Sequence, residues 1–213
     1  AIKEAAAAFG KAHGIDVDVT AGPTGKWLDK AKGNADVIFS GSESMMSDFV
    51  TAFGGQIEDK AVTPLYLRPA TILVRPGNPG HVGGIADLMK PGHKILVVNG
   101  SGQGGLWEDV AGRTGSLEDV KRFRNNILGF GKGSGPSFQM FVAKNADAWI
   151  TWPDWPITHS DVAEIVELSE QRRIWRDVNV VLAPDANPQA RRFLDFLASA
   201  PAAEIMKTEG WVR

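Results

Sequence analysis

The sequence predicts an α/β fold in two lobes, each a mainly parallel sheet flanked by helices. Three observations carry that expectation. Short branched-apolar runs alternate with amphipathic helical patterns in two separate stretches, 15–52 and 95–151. Between them runs Leu65–Val74, rich in branched residues but carrying Pro69, which belongs to neither stretch. A strand pair near 163–166 and 178–183 then returns before the last helices.

In order, Ala1–His13 has the helical spacing Ile2, Ala5, Ala6, Phe9 and stops at Gly14. Ile15–Thr20 alternates apolar and polar residues and is expected to be a strand. The loop AGPTG leads to a short helix over Lys26–Lys32, a strand over Ala35–Ser40, the loop GSES and a helix over Met45–Ala52. Leu65–Val74 is one long bent strand or two end to end, because proline interrupts a ladder. RPGNPG (75–80) turns the chain into the second run, with strands at Ile95–Val98, Ile127–Phe130 and Ala146–Thr151. Helices are expected from Leu106 to Gly112, over LEDVKRFRNN, and at Pro188–Ala198 and Ala202–Thr208. There is no internal repeat and no low-complexity segment.

Composition narrows the function classes. A net charge of −2 removes any broad electrostatic case for nucleic acid or an anionic membrane. An anion would be held by local geometry instead. With 0 cysteines, disulfides, thiolate metal sites and cysteine nucleophiles are excluded. No apolar run reaches the roughly 18 residues of a membrane span. Residue 1 already lies inside a helical pattern, so a leader and a first strand are expected upstream. The parallel topology of the first lobe needs that strand beside Ile15–Thr20 and Ala35–Ser40.

The most informative stretch is KILVVNGSGQGGLWEDVAGR, 94–113. A buried strand passes into a loop holding four glycines between Asn99 and Gly105, and Leu106 opens a helix. Such a succession aims loop and first-turn N–H groups at one point, where the helix dipole favours negative charge. Gly100, Gly102 and Gly105 also satisfy G-x-G-x-x-G, but the strand at Asn126–Phe130 ends in Gly131, Lys132 and Gly133 without the carboxylate a dinucleotide ribose needs. Beside that disfavoured dinucleotide reading stand glycines that let a tight turn close, or a site for a phosphate- or sulfate-like anion. Three other strand-to-helix handovers share this chemistry, at Gly22–Lys26, at Ser40, Gly41, Ser42 and Ser44, and at Gly131–Ser137. Each alone is explained by capping. Together they matter because ligands of open α/β sheets sit beyond the carboxyl ends of strands.

Other motifs fail. TAGPTGKW has Thr20 where a Walker loop needs glycine and Trp27 where it needs Ser or Thr. Lys26 either faces an anion or is a solvated first-turn lysine. His13, His81, His93 and His159 are scattered, so no zinc site is expected, and no cofactor. No G-x-S-x-G elbow occurs. Glu108 and Asp109 suit a helix start, where they offset the dipole. In DAWITWPDW, Trp149 fits the core and Trp152, at a strand's carboxyl end, fits a pocket wall.

Several stretches carry a family resemblance: DVDVTAGPTGKWLDKA, ADVIFSGSESMM, TPLYLRPATILVRPGNP, ILVVNGSGQGGLWEDVAGR, DAWITWPDW and FLDFLASAPAAEIMKTEGW. Through them the chain resembles the type 2 periplasmic solute-binding proteins, in the molybdate/sulfate-binding branch, and within it the accessory colonisation factor C group. The resemblance implies two α/β lobes, 1–66 with 178–213 and 67–177, joined by crossings at Leu65–Val74 and Ile174–Ala183, with the anion between them. It implies a periplasmic, monomeric, non-enzymatic binder serving a membrane transporter or a chemoreceptor. It places the ligand at Gly22, Thr24, Gly25, Ser40 and Ser42 in one lobe, and at Gly102, Gln103, Gly104, Ser134, Ser137 and Trp152 in the other. Two departures stand out: members begin with a strand and glycine loop before the first helix, and Lys26 is unusual among oxyanion binders. The latter leaves room for a di- or tricarboxylate in place of sulfate. The competing classes are a phosphate-handling enzyme on a two-lobed scaffold and the effector domain of a transcription regulator.

Overall fold

A computed structural model describes every residue except Pro23 and Lys144. The helices are α1 (Ile2–His13), α2 (Leu28–Asn34), α3 (Glu43–Ala52), α4 (Ile85–Leu88), α5 (Leu106–Gly112), α6 (Leu117–Asn125), α7 (Ser134–Ala143), α8 (Asp154–Thr158), α9 (Pro188–Leu197) and α10 (Ala200–Lys207). The strands are β1 (Val37–Ser40), β2 (Thr63–Pro69), β3 (Thr71–Val74), β4 (Ile95–Val98), β5 (Ile127–Gly131), β6 (Ala148–Thr151), β7 (Glu164–Val166) and β8 (Trp175–Leu182). The chain forms two compact units, Ala1–Leu67 with Arg176–Arg213, and Arg68–Trp175. Leu65–Val74 is two strands: β2 belongs to the sheet of the first unit and β3 to that of the second. The break falls at Pro69 and Ala70, where proline withholds an N–H from the ladder.

In the first unit the sheet order is β1-β8-β2, with Val37–Ser40 antiparallel to Asn179–Leu182. Helix α1 buries Ala5, Ala6 and Phe9, and Gly14 ends it at φ 65°, donating to Gly10 O. The Phe9 ring lies 5.3 Å from Phe193 and 5.5 Å from Phe196, which fixes α1 against α9. Ile15–Thr20 shows the expected alternation, half-buried Ile15, Val17 and Val19 against exposed Asp16, Asp18 and Thr20, but it is no strand. That expectation is corrected. Alternation decides which side chains turn inward, whereas a strand also needs a neighbour for its N–H and C=O groups.

In the second unit the order is β5-β4-β6-β3-β7. β4 runs parallel to β5 and β6, while β3 runs antiparallel to β6 and β7. The sheet of the second unit is therefore mixed, with two parallel and two antiparallel pairings. β3, β4 and β6 are buried along their whole length, which is why they read as continuous apolar runs. One face packs Leu88, Val110 and the stacked pair Trp107–Phe123, 5.8 Å apart; the other packs Phe141, Trp149 and Ala163.

Arg172 pins the helices under this sheet. It donates to the carbonyls of Val110 (3.2 Å) and Ala111 (2.7 Å) at the end of α5, and to the Asp119 carboxylate in the first turn of α6. The Arg172 hydrogen bond holds the Asp119 carboxyl below its ordinary pKa. A lowered folded pKa means stabilisation that is present above the unfolded value and lost as pH falls through the folded one. Asp119→Asn is therefore expected to lower stability by a gap that opens as pH rises to about 4 and stays flat from about pH 5 to 7. Urea unfolding at a series of pH values measures it, and a gap independent of pH would refute the assignment.

Candidate functional site

The parallel pairing of β4 and β5 sets Val98 opposite Gly131, so the loops after the two strands leave the sheet side by side. Asn99 N donates to Gly131 O at 2.8 Å. Gly100, at φ 126°, passes so close to the neighbouring loop that a Cβ would stand 3.1 Å from Lys132 O. Ser101, Gly102 and Gly105 follow at φ 49°, 71° and 73°. This left-handed course curls the loop and is a backbone form that gathers N–H groups into anion-binding concavities.

The other loop opens α7, whose first-turn N–H groups at Ser134 and Gly135 precede any intrahelical bond. Gln103 joins the two loops: its Nε2 donates to Ser134 Oγ at 2.9 Å. Gln103 is 1% exposed, and its Oε1 is buried without a hydrogen-bond partner among the described residues. A carboxamide so placed is costly to leave half satisfied unless something else meets it. Ser137 is different. Its Oγ donates to Gly133 O at 2.7 Å inside the helix, so its hydroxyl is engaged by the fold. Gly104 is exposed, has no left-handed backbone requirement, and a Cβ there would meet nothing within 4 Å. The fold does not need glycine at that position.

Trp152 is 2% exposed, and the Arg68 guanidinium lies 4.5 Å over its ring. Arg68 Nη1 also stands 3.4 Å from Asp154 Oδ1. Trp152 thus packs into the core beneath an arginine rather than offering its own face as a wall. Arg68 was not foreseen from sequence, although a lone arginine in an otherwise apolar run signals it.

In the first unit, Thr24, Gly25 and Lys26 form a 3₁₀ turn with Gly25 and Lys26 exposed. Gly22, at φ 129°, accepts from Trp27 Nε1 at 3.0 Å, which fixes the loop's entry; Pro23 lies outside the described residues. Ser40 and Ser42 are 2% and 0% exposed. Ser40 Oγ donates to Ser42 O at 2.5 Å, and Ser42 Oγ accepts from Met45 N at 3.3 Å as the cap of α3. The start of α3 already holds an anion of the chain's own, since Glu43 N donates to Asp177 Oδ1 at 3.1 Å. Asn179, 0% exposed, bridges Glu43 (3.0 Å) and Asp177 (2.8 Å) through Nδ2. Neither Asp177 nor Asn179 was anticipated.

The structure thus brings 102–104 and 134–137 together in the second unit. In the first unit it lines one cavity with Gly22, Ser40 and Gly41. What it assembles is neutral donors beside the start of α7. Among the described residues no three His, Asp or Glu side chains converge to hold a metal.

Comparisons with known proteins agree with this architecture. Crystal structures of PEB3 from Campylobacter jejuni match with TM-scores of 0.92 and, with L-phospholactate bound, 0.94; they share 34% sequence identity over 100% of this chain and 94% of theirs. The sulfate-binding protein SubI from Mycobacterium tuberculosis has the same fold at 17% identity, with a TM-score of 0.75 over 99% of this chain and 82% of that one. The periplasmic molybdate-binding protein of Azotobacter vinelandii does so at 17% identity, with a TM-score of 0.70 over 100% of this chain and 94% of its own. A comparison with curated protein sequences finds no significant match. The description "bacterial extracellular solute-binding protein" matches residues 1–212, and the chain belongs to that family.

Proposed function

We propose that the protein captures a small anion outside the cytoplasm and delivers it to a membrane transporter. The observation that carries the reading is the junction of the two loops in the second unit, where buried Gln103 meets Ser134 at the start of α7. Donors of this kind suit a tetrahedral oxyanion, because helix-start N–H groups and a carboxamide bind charge without a buried counter-charge. The solved complex of PEB3 with L-phospholactate supports a ligand that carries a carboxylate as well as a phosphate. Exposed Lys26, in the turn of the first unit, is the group that would answer the second charge. The ligand class is accordingly a small phosphorylated carboxylate, with sulfate as a tetrahedral mimic of its phosphate group. A plain di- or tricarboxylate is the second reading, and Lys26 is the observation favouring it. A chemoreceptor is the other partner compatible with such a binder.

Two sets of calorimetric titrations test this, against L-phospholactate, sulfate and citrate. Gln103→Ala is expected to weaken oxyanion binding about tenfold or more, the range for a hydrogen bond to a charged group. Gly104→Val is expected to block binding while leaving thermal stability unchanged, because no neighbour obstructs the new side chain. Full affinity in both variants would sink the site. Lys26→Ala is expected to cost L-phospholactate roughly 2 kcal/mol or more, but sulfate about 1 kcal/mol or less. Equal small losses on both ligands would remove the carboxylate from the reading.

A further inference from the structure

We propose that Asn99 is a site of spontaneous covalent modification, where the chain converts its own neutral carboxamide into a carboxylate in the loop after β4. The reaction needs a main-chain nitrogen on the following residue that can reach the asparagine side chain. Asn99 is the only asparagine followed by glycine, the residue that crowds such an approach least. Asn78 and Asn187 precede prolines, which have no N–H to give. The carboxamides of Asn78, Asn126, Asn145, Asn179 and Asn187 are moreover held by hydrogen bonds within the fold. Asn99 is exposed, and neither its carboxamide nor the Gly100 N–H has a hydrogen-bond partner among the described residues. Gly100 in turn is fixed by the fold, because at φ 126° a Cβ would stand 3.1 Å from Lys132 O. The labile step is therefore a consequence of the close approach that brings the two loops together.

The chemistry needs only water and hydroxide, and nothing is oxidised or reduced. The Gly100 nitrogen gives its proton to hydroxide and bonds to Asn99 Cγ. The Cγ–Nδ2 bond breaks, and ammonia leaves with a proton taken from water. Water then opens the resulting succinimide ring. Breaking the new N–Cγ bond gives aspartate at this position. Breaking the original peptide bond gives isoaspartate, whose main chain runs through Cβ and Cγ and is one carbon longer. Either product adds a negative charge to a loop that meets the start of α7 through Gln103 and Ser134. The effect on binding rests on the anion-capture reading above. A carboxylate here repels an incoming anion, and the longer isoaspartyl chain shifts Gly100 from its place beside Lys132. Such a binder loses affinity with age, without any enzyme.

The test begins with ligand-free protein incubated at mildly alkaline pH, so that its outcome does not depend on anion binding. Peptide mapping by mass spectrometry, with isoaspartate-specific labelling, reads conversion at every asparagine. Conversion at Asn99 is expected to run at least tenfold faster than at any other asparagine. An intact Asn99 in the folded chain, under conditions where a synthetic peptide of residues 94–105 converts, would overturn the proposal. So would conversion no faster than at Asn34 or Asn125. Calorimetry then compares L-phospholactate binding by fresh wild-type protein, Asn99→Asp and Asn99→Gln. Asn99→Asp is expected to bind about fivefold more weakly at low ionic strength, with the difference shrinking as salt is added. Asn99→Gln is expected to bind as the wild type does. Equal affinity in the two variants would overturn the loss of binding on conversion. No binding by the fresh wild type would instead overturn the anion-capture reading, and the peptide map would still decide the modification.

Discussion

The parallel pairing of β4 with β5 is the constraint on which the second unit depends. Once Val98 lies opposite Gly131, the next residues of both strands have to emerge together. Asn99 N takes the carbonyl of Gly131, Gly100 slides past Lys132, and Gln103 arrives over the first turn of α7. The helix start then needs no charged residue to become attractive to an anion, because its own unpaired N–H groups supply the field. A net charge of −2 is compatible with the proposed anion binder, which would rely on local geometry instead of an overall field.

The two units use the same device to different ends. At α7 the helix start is shared with a buried carboxamide whose second polar atom is unmatched among the described residues. At α3 the chain closes the corresponding position itself, with Ser42 as cap and the Asp177 carboxylate on Glu43 N. An incoming anion at α3 would meet that carboxylate and be repelled. On the proposed reading, the second unit therefore offers the better place for a tetrahedral oxyanion. In the first unit, Gly25 and Lys26 of the turn Thr24–Lys26 are exposed, whereas Ser40 and Ser42 are buried.

Much of this was legible in the sequence, and the rest has physical reasons for hiding. Periodicity located α1, α6 and α9 within a residue or two, and continuous branched runs located β3, β4 and β6. The break between β2 and β3 was written in Pro69. By contrast, α4 and α8 are only 4 and 5 residues long, too short for a periodic signal. Ile15–Thr20 satisfied every local criterion of a strand, but pairing is a property of two segments, and one segment cannot reveal it. At the site, glycine clusters and Gln103 pointed to the second-unit loops. Ser40, Ser42 and Ser137 could not be distinguished from ligand-facing hydroxyls, because an internal hydrogen bond leaves no mark on composition. Asp177 and Asn179 act through a partner distant in sequence, so nothing near them announced a role, whereas Arg68 stood out only as a lone charge in an apolar run.

The fit of Gly131 against α7 reaches beyond one molecule. A methyl group at residue 131 would stand 1.7 Å from Ser137 Oγ and 2.8 Å from its Cβ. No rotamer of Ser137 clears that second contact, so the two positions cannot drift independently. Along a lineage, any residue other than glycine at 131 requires a prior displacement of the helix start at 134–137. That shift would carry Ser134 and its bond to Gln103 with it. Divergence in this family should therefore keep 131 silent and concentrate substitutions at positions such as 104, where open space leaves the first step sterically free.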